Sequence, residues 1–411
     1  MVMLDHLGLG IHRPARESVS ILVGPNGSGK SSFLRDLAAS QCGDRNVVIV
    51  CNTPHDRFAG LRGARRISVG KTAGSPRVIV KSAVAQSLAG SGAAFYQISS
   101  TLEYCGYRAR FGFRMDAAAL YGRTLDEIRQ HQSGPSGEVF DSVPENGSLL
   151  DEVDGPERAD MELALAFLRR HNPSESIWID ASEKVLDFSR AREFASVLKL
   201  ESRLRVWNVL RGIRVYLERV DDGDAIEIQH ASSGQLALIS SLLFVITNTG
   251  EDPIVIIDEP ENSLHPKWQR EYIEKVMTAL SYRNATIIVA THAPLVVTGA
   301  LADSPQLVSV FEVRDGRPER LQIDRARSSP GSIEEILWRA FEVVTPANHF
   351  VSEQIANEVS RFEKGEVRKD EVLALIGRME DESFDERQRG FFNAVRVLLD
   401  KVEAGRDEGD Q

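Results

Sequence analysis

The chain has 411 residues, of which 42% are apolar and 27% charged, and its formal net charge at pH 7 is −11. A chain of this length can bury a large hydrophobic core and form one to three domains, and its composition is ordinary for a globular protein. The acidic balance excludes a polycation that coats nucleic acid over its whole surface, although it leaves room for a local basic face.

Cysteine usage and apolar patterning bear on where the protein works. The three cysteines, Cys42, Cys51 and Cys105, are odd in number and lack metal-ligand spacing, which indicates reduced thiols and a cytoplasmic location. The chain does not open with the basic and then apolar segments of a signal peptide. The longest apolar stretch, residues 236–247, contains two serines and is too short to span a bilayer. We therefore expect a buried helix there and no membrane contact.

The first informative pattern is a glycine-rich octapeptide, residues 24–31, that fits the phosphate-binding loop G-x-x-x-x-G-K-[ST]. An apolar run, residues 19–23, enters it as a predicted buried strand, and residues 32–40 leave it as a predicted helix. This strand–loop–helix context favours a nucleotide site over an ordinary glycine-rich turn. A second apolar run, residues 46–50, predicts the next strand of the same sheet.

The residue types in the loop suit a triphosphate. Glycines let the backbone wrap the phosphates with its N–H groups turned inward, and the helix N-terminus adds partial positive charge. Lys30 is expected to hold the β- and γ-phosphates of ATP, and Ser31 to bind Mg²⁺ through its hydroxyl. The predicted nucleotide-binding residues of this loop are Gly24, Asn26, Gly27, Ser28, Gly29, Lys30, Ser31 and Ser32.

Residues 56–81 are unusually basic, with seven lysines and arginines against one aspartate. Such a run is either a solvated strand-and-loop face or a contact surface for nucleic acid or another phosphate-rich partner. Because no aromatic stacking pattern accompanies the charge, the solvated face is favoured. Nucleic acid stays an open alternative.

The middle of the chain is interpreted from its periodicity and its turn residues. Residues 82–135 are expected to be mainly helical, and residues 133–156, rich in Gly, Ser, Pro and acidic residues, to form a surface loop or lid. Residues 158–170 and 190–203 are again predicted to be helical.

A predicted β-hairpin leads into the second motif. Residues 215–220 and 225–229 alternate in polarity around an Asp-Gly turn, the strongest short-range hairpin signal. Ser-Ser-Gly-Gln then opens the apolar helix, where a hydroxyl and free N–H groups form either a plain cap or an anion site. We predict that the cap faces the γ-phosphate held by a second subunit. Its contact residues would be Ser232, Ser233, Gly234 and Gln235.

Two further motifs follow buried strands. Asp258 and Glu259 follow the apolar run at residues 253–257. The first carboxylate is expected to hold Mg²⁺ and the second to orient or deprotonate the attacking water. The run at residues 285–290 leads to His292, which is expected to hydrogen-bond the γ-phosphate. Without the phosphate loop upstream, an exposed turn and a structural histidine would be the better interpretations.

Strands that alternate with helices, with a motif at several strand ends, predict an α/β layer fold with a largely parallel sheet. Residues 266–280 are predicted as one of these helices and residues 307–313 as a further strand. Residues 331–411 differ, because they are poor in strands and carry 19 Asp and Glu against 11 Lys and Arg. They are predicted to form a separate helical module.

Together these motifs resemble the ABC-type ATPases, in which a Walker A loop, a signature Ser-x-Gly-Gln, a Walker B Asp-Glu, a D-loop and a switch histidine recur in this order. Two runs, Glu-Asn-Ser-Leu-His-Pro at residues 261–266 and Ala-Thr-His-Ala-Pro at residues 290–294, narrow the resemblance. They are similar to the AAA-like ABC ATPases of bacterial DNA repair and phage defence, such as the overcoming-lysogenization-defect, Septu and retron-associated ATPases. Residues 52–58 and 345–350 also resemble that group.

The resemblance implies an ATPase head formed by residues 1–95 and 211–330, an inserted helical lobe at residues 96–210, and a partner-binding helical module at residues 331–411. It further implies a homodimer whose heads close head-to-tail on ATP and open on hydrolysis. That switch would regulate an effector, expected to be a nuclease, in an anti-phage defence complex.

Other functions stay open beside this one: a DNA-repair ATPase that clamps DNA and, less well supported, the ATPase subunit of a transporter. The spacing between Lys30 and Ser232 leaves no room for the long coiled-coil arm of a chromosome-organising ATPase. The family's Q-loop glutamine has Gln97 as its best candidate here. His12 and Arg13 are the nearest candidates for a contact with adenine.

Overall fold

The computed structural model describes residues 7, 18–53, 56–68, 75–91, 95–132, 156–182, 190–281, 283–321, 341, 349–381, 392–393, 395–400 and 403. Most of the loop predicted at residues 133–156, namely residues 133–155, lies outside the described part of the chain, while Pro156 begins a helix. The adenine candidates His12 and Arg13 and residues 345–348 also lie outside it. The described strands form two sheets, and the larger one has a hydrophobic core on each of its faces.

The strands are numbered in chain order. They are β1 (Ser18–Val23), β2 (Val47–Cys51), β3 (Arg65–Ser68), β4 (Tyr107–Ala117), β5 (Ile177–Asp180), β6 (Leu210–Arg219), β7 (Ala225–Glu227), β8 (Ile254–Asp258), β9 (Thr286–Ala290), β10 (Val308–Arg314) and β11 (Arg317–Arg320). A seven-stranded sheet has the order β11-β10-β1-β9-β8-β2-β3, and a four-stranded sheet has the order β5-β4-β6-β7.

The α-helices are numbered in the same way. They are α1 (Lys30–Gln41), α2 (Pro76–Gln86), α3 (Ser99–Tyr104), α4 (Leu125–Gln132), α5 (Pro156–Arg170), α6 (Ala191–Lys199), α7 (Glu201–Val206), α8 (Ser233–Asn248), α9 (Pro266–Ala279), α10 (Pro294–Asp303), α11 (His349–Glu363) and α12 (Lys369–Asp381). A π-helical turn, Ser87–Ser91, continues α2, and a 3-10 helix, Phe95–Ile98, precedes α3. Among the described residues, no helix is both long and apolar enough to cross a membrane.

The seven-stranded sheet confirms the predicted α/β layer fold. Its neighbouring strands are parallel except for β10 and β11, which pair antiparallel. β2, β8 and β9 are buried at every position, as parallel strands covered on both faces require. Phe33, Leu34 and Leu37 of α1 belong to the core on one face, whereas Leu238 and Leu242 of α8 belong to the core on the other.

The four-stranded sheet contradicts the expectation of a mainly helical lobe. Residues 107–117, predicted helical within residues 82–135, form β4, which pairs antiparallel with β5 and β6. Phe111, Phe113 and Met115 are buried on one face while charged residues alternate with them. This period of two is typical of a half-buried antiparallel strand. The lobe is therefore mixed α/β, and its sheet continues through β6 across the predicted boundary at residue 210.

The other element predictions between residues 156 and 230 are confirmed, except that residues 228 and 229, predicted as the end of a strand, belong to a 3-10 helix, Ile228–His230. α5, α6 and α7 occupy the predicted helical stretches, with Leu200 between the last two. β6 and β7 form the predicted hairpin, in which Glu218 pairs with Ala225. Gly223 in the turn has a φ of 74°, a backbone conformation that favours glycine.

The described part of the C-terminal region is helical, as predicted. It contains α11 and α12, which pack on each other. Buried side chains of these two helices and of residues 392–399 form a hydrophobic cluster separate from the cores of the large sheet, made up of Ile355, Phe362, Val372, Ile376, Met379, Phe392, Val395 and Leu399. The predicted boundary at residue 331 lies outside the described residues and stays a prediction.

Candidate functional site

The phosphate loop connects β1 to α1, and its glycines are needed for conformation and packing. Gly24, Gly27 and Gly29 have φ angles of 141°, 85° and 99°, a region that favours glycine. A Cβ at Gly24 would lie 2.8 Å from the carbonyl oxygen of Val313, and one at Gly29 would lie 2.8 Å from Cα of Gly316. Other residues at these two positions would therefore disturb the loop and its neighbours.

Lys30 begins α1 and turns its side chain back into the loop. Its Nζ donates hydrogen bonds to the carbonyl oxygens of Gly24 and Pro25 at 2.8 and 3.1 Å. The same atom lies 3.5 Å from Nδ1 of His292. Burial lowers the pKa of this ammonium, and three nearby carboxylates oppose the shift. A buried cation whose hydrogen-bond partners here are two carbonyl oxygens and an imidazole nitrogen is well placed to exchange them for phosphate oxygens.

Ser31 and Asp258 join the phosphate loop to the end of β8. The Ser31 hydroxyl donates to Oδ1 of Asp258 at 3.0 Å. Asp258 is 1% exposed, and burial raises the pKa of its carboxyl to about 6, while the hydrogen bond from Ser31 opposes that rise. Hydroxyl and carboxylate oxygens are ligands that Mg²⁺ prefers, so this pair is suited to a magnesium ion.

Glu259 and His292 lie together beside this pair. Glu259 follows β8 with a φ of 52°, which is uncommon for a residue other than glycine. Its Oε1 lies 3.5 Å from Nε2 of His292, with side-chain exposures of 27% and 29%. Its Oε2 accepts a hydrogen bond from Nδ2 of Asn262 at 2.9 Å. Burial lowers the pKa of His292, and the charge of Lys30 adds to that shift, so the imidazole is neutral at pH 7.

A third carboxylate, Glu261, supports the histidine and was not singled out from the sequence. Its Oε2 accepts from the Thr291 hydroxyl at 2.9 Å, and its Oε1 accepts from the His292 backbone N–H at 2.5 Å. Burial raises the pKa of its carboxyl, and these hydrogen bonds oppose the rise. Glu261 thereby ties the turn after β8 to the turn after β9. The available signal was its place at the head of the Glu-Asn-Ser-Leu-His-Pro run.

The turn between β10 and β11 also supports the loop, and sequence reasoning missed it. Gly316 has a φ of 76°, and its N–H donates to the carbonyl oxygen of Ser28 at 2.8 Å. The turn also packs closely against Gly29, because a Cβ added to Gly29 would lie 2.8 Å from Cα of Gly316. The Asp315-Gly316 pair is a recognisable hairpin signal. Nothing in the local sequence tells which distant segment such a turn contacts.

The Ser-Ser-Gly-Gln motif caps α8. The Ser232 hydroxyl accepts from the Gln235 N–H at 3.2 Å, and Oε1 of Gln235 accepts from the Ser232 N–H at 3.1 Å. This is a reciprocal capping box. The Gln235 side chain also accepts from the Tyr107 hydroxyl and donates to the Cys105 carbonyl, both at 2.8 Å. Gln235 therefore anchors the cap to the start of β4.

Gly234 and the two serines of the motif have different surroundings. A Cβ at Gly234 would lie 2.7 Å from the carbonyl oxygen of Ser263 and 2.8 Å from the Trp268 ring, so packing within the chain requires the glycine. Ser232 and Ser233 are exposed at the helix N-terminus. The Ser233 side chain has no hydrogen-bond partner among the described residues. Of the four predicted contact residues, these two serines are therefore accessible to a ligand, and their role stays a prediction.

The remaining predicted residues have varied surroundings. Asn26 is exposed at the tip of the loop. The Ser28 hydroxyl is buried and has no hydrogen-bond partner in the described structure. The Ser32 hydroxyl accepts from Arg57 at 3.0 Å. Gln97 lies in the 3-10 helix before α3, with a buried Oε1 that no described group donates to, and its assignment to a Q-loop stays a prediction.

Part of the positive charge in residues 56–81 is neutralised within the fold. Arg66 forms an ion pair of 2.8 Å with Asp56, whose side chain is 4% exposed. Lys81 is buried and pairs with Glu201 of α7. These contacts favour a structural interpretation of this segment over a nucleic-acid surface.

The part of the chain that holds the later motifs matches a known protein family. Residues 128–298 match the family described as "AAA domain, putative AbiEii toxin, Type IV TA system". The match includes the Ser-Ser-Gly-Gln motif, the Asp258–Glu259 pair and His292, and it begins after the phosphate loop.

Two curated proteins are similar to parts of this chain. The retron Vc95 probable ATPase of Vibrio cholerae serotype O1 biovar El Tor is 25% identical over 175 residues, which are 39% of this chain and 29% of that protein. Protein ea59 of Escherichia phage lambda is 26% identical over 147 residues, which are 33% of this chain and 27% of that protein. The chain thus spans less than a third of the length of either relative.

Proposed function

We propose that the chain carries an ATPase domain of the AAA type, which the family match and the similarity to a retron ATPase support, and that it binds ATP with Mg²⁺ and hydrolyses it. The observation that supports this best is the 3.0 Å hydrogen bond between Ser31 and Asp258. It joins the end of the phosphate loop to the end of β8, next to Lys30 and Glu259, as phosphoryl transfer on a phosphate loop requires.

The residues present fit a magnesium triphosphate. The buried Ser28 hydroxyl has no acceptor within the described residues, and a phosphate oxygen is a suitable one. Lys30 would hold the β- and γ-phosphates, and Ser31 and Asp258 would hold Mg²⁺. When bound, the metal neutralises charge on the phosphate oxygens.

Glu259 and His292 would carry the hydrolytic step. A water oxygen attacks the γ-phosphorus, its proton passes to the Glu259 carboxylate, and the bond to the bridging oxygen breaks to give ADP and phosphate. The partial exposure of Glu259 leaves room for that water. His292, neutral and 3.5 Å from both Glu259 and Lys30, would donate a hydrogen bond to the γ-phosphate.

A second copy of the chain would complete each site. Ser232 and Ser233 stand exposed at the N-terminus of α8, where unpaired N–H groups and the helix dipole attract anions. Gly234 and Gln235 fix this cap against α9 and β4. In a twofold dimer, each cap would lie against the γ-phosphate held by Lys30 of the other protomer. ATP would then stabilise the closed dimer, because it binds that state more tightly.

The switch would regulate an effector, which we expect to be a nuclease, in an anti-phage defence complex. The similarity to a retron ATPase supports the setting. The separate hydrophobic cluster of α11 and α12 supports a distinct module for the partner. A cytoplasmic location is also proposed, since Cys42, Cys51 and Cys105 are all free thiols.

Glu259→Gln tests hydrolysis and dimer closure together. The variant should bind ATP as the wild type does and hydrolyse it about 10²–10⁴-fold more slowly. In MgATP it should elute from a sizing column at the mass of a dimer. Glu259→Gln combined with Lys30→Ala is the matched control and should stay monomeric. Unchanged hydrolysis, or a Glu259→Gln monomer in MgATP, would contradict the proposal.

Purification from the native host tests the effector separately. Affinity-purified protein should carry a second polypeptide, identified by mass spectrometry, and deletion of residues 349–403 should release it while ATP binding is retained. If no second polypeptide accompanies the full chain, the regulatory part of the proposal is wrong and the ATPase part stands.

A further inference from the structure

The outer face of the four-stranded sheet is open and rich in arginine. The residues that alternate with buried Phe111 and Phe113 on β4 point the other way, and the side chains of Arg108 and Arg110 are 53% and 38% exposed. We define the outer face by the residues that share this side of the sheet: Arg108, Arg110, Gly112, Arg114, Asp116, Trp178, Asp180, Arg214, Tyr216, Glu218, Ala225 and Glu227.

At one end of this face, three arginines surround a shallow cavity of about 350 Å³. Arg114 of β4 lies directly opposite Arg214 of β6 in the register, and Arg211 also lines the cavity. Like charges directly opposite each other destabilise a sheet. The cavity is therefore a place where an anion would relieve repulsion.

Only one of the three arginines is neutralised by a described residue. Arg214 donates from Nε to both carboxylate oxygens of Asp116 at 3.1 Å. Arg114 and Arg211 are exposed, and neither has an ion-pair or hydrogen-bond partner within the described ranges. Guanidinium groups of this kind bind phosphate oxygens in bidentate fashion.

Aromatic rings lie beside the arginines on the same face. Trp178 of β5 and Tyr216 of β6 are in register with Gly112, one on each side. A Cβ at Gly112 would lie 2.9 Å from the Trp178 ring, so the absence of a side chain lets the indole rest on the strand. Both aromatic side chains are partly exposed, but the guanidinium of Arg110 lies over the Trp178 ring, 4.9 Å from its centroid, so Tyr216 is the ring of this pair that a base can stack on. Bases stack on rings presented in this way whatever their sequence.

The spacing between the aromatic rings and the arginines suits a polynucleotide. Gly112 and Arg114 are two residues apart on one strand, so the aromatic row and the arginine row are about 7 Å apart. An extended single strand can therefore place a base over the ring row while a nearby phosphate reaches the arginine row. A duplex would expose phosphates to the arginines but would keep its bases away from the rings.

Of the other three acidic side chains on this face, two are already engaged, and the third, Glu227, lies directly opposite Tyr216. Glu218 is buried and pairs with both Arg108 and Arg110, while Asp180 accepts hydrogen bonds from Ser182. They leave Arg114 and Arg211 unneutralised.

We propose that the outer face of the four-stranded sheet binds single-stranded nucleic acid. Arg114 and Arg211, which no described residue neutralises, hold its phosphates, and Tyr216 stacks on its bases. This site lies apart from the phosphate loop, and the proposal does not rest on ATP hydrolysis.

Fluorescence anisotropy of labelled oligonucleotides, with the full chain free of nucleotide, tests the site. Arg114→Gln/Arg211→Gln should weaken binding to a thymidine 20-mer at least tenfold. It should also make the slope of log K against log[salt] shallower by about 1.4, because two phosphate contacts are lost. Arg158→Gln/Arg368→Gln removes two exposed arginines, one in α5 and one directly before α12, and should change neither quantity.

The stacking residues provide the second arm. Tyr216→Ala should weaken binding by about tenfold, whereas Tyr216→Phe keeps the ring and should bind as the wild type does. Circular dichroism and thermal unfolding of each variant establish that the fold is intact.

Three results would overturn the proposal. One is a wild-type chain that fails to bind the 20-mer at low salt. Another is equal affinity for duplex of the same length with no loss in Tyr216→Ala, which would indicate a duplex surface. The third is displacement of the oligonucleotide by inorganic phosphate at an equal concentration of phosphate groups, which would indicate a small-anion site only.

Discussion

The two sheets place their functional side chains in different ways. In the seven-stranded sheet both faces are buried, and the polar groups of the candidate site appear where strands end: Asp258 closes β8, and His292 follows β9. β9 lies between β1 and β8, with Ala290 level with Leu22 and Asp258. In the four-stranded sheet one face is open, and charged residues such as Arg114 stand along the strand itself.

The two arrangements suit different kinds of ligand. Strand ends converge on one small volume, so a few side chains with shifted pKa values surround a single ligand. An open sheet face spreads its groups at regular intervals and suits an extended ligand. We therefore expect changes at the strand ends to have large individual effects, and changes on the open face to have smaller ones that add.

Lys30→Ala should have the largest effect. Removal of a buried ammonium aimed into the phosphate loop should weaken ATP binding about 100-fold or more, measured by isothermal titration calorimetry. Oligonucleotide binding to the four-stranded sheet should be unchanged, which separates the two sheets. Equal ATP affinity in the variant and the wild type would contradict the role of Lys30. Lys364→Ala, at an exposed position of the C-terminal region, is the control.

Asp258→Asn should stabilise the nucleotide-free protein while it removes the magnesium site. The pKa of Asp258 is about 6 in the folded chain against 3.8 as the ordinary value, so the folded state binds more protons between these values. The stability of the folded state relative to the unfolded state therefore falls as the pH rises from about 4 to about 6. Above that window the ionised carboxylate costs about 3 kcal/mol, which the variant would recover.

Urea unfolding of the wild type and the variant at several pH values measures that difference. The advantage of Asp258→Asn in the free energy of unfolding should be small near pH 4, grow to pH 6 and stay level above it. Asp44→Asn, at an exposed position, should show no such growth. If the difference in unfolding free energy between the variant and the wild type does not change with pH, burial does not raise the pKa of the Asp258 carboxyl.

How much of the fold could be predicted from the sequence also differed between the two sheets. Buried parallel strands such as β8 and β9 are continuous apolar runs, so both the strands and the motifs after them could be read from the sequence. β4 was missed because its arginines and its Gly112 hide the alternating pattern of a half-buried strand, and its partners lie far along the chain. Pairing across the sheet, which local sequence does not encode, decided its conformation.

The candidate site was predictable to a similar degree. Lys30, Ser31, Asp258, Glu259 and His292 belong to short motifs, and the structure brings them together. The supporting roles of Glu261 and Gly316 depend on contacts between distant turns. Those contacts exist only once the strands are arranged side by side, so the sequence held no direct signal for them.

Glu261→Ala should act through the histidine. It removes the acceptor of two hydrogen bonds, to the Thr291 hydroxyl and the His292 N–H, and should lower kcat about tenfold with little change in ATP affinity. Glu261→Gln keeps one acceptor oxygen and should recover part of the loss. If both variants hydrolyse ATP at the wild-type rate, the turn after β9 does not need this support.

Gly316→Ala should have the smallest effect. A Cβ there meets no atom within 4 Å, so the cost is the positive φ alone, about 1 kcal/mol of unfolding free energy. Because the turn holds the Ser28 carbonyl, ATP affinity should fall by a few fold. Gly60→Ala, which also combines a positive φ of 82° with open space around its Cβ, is the matched control, and an equal loss of ATP affinity in both would remove any special role for the turn.

The central claim is that each ATP is sandwiched between Lys30 of one protomer and the Ser233 cap of the other. Lys30→Ala and Ser233→Glu should each abolish hydrolysis; the glutamate stabilises the helix N-terminus but repels phosphate. An equal mixture should recover about a quarter of the wild-type rate, because half the dimers then hold one intact site of two. A mixture no more active than its separate components would contradict the account.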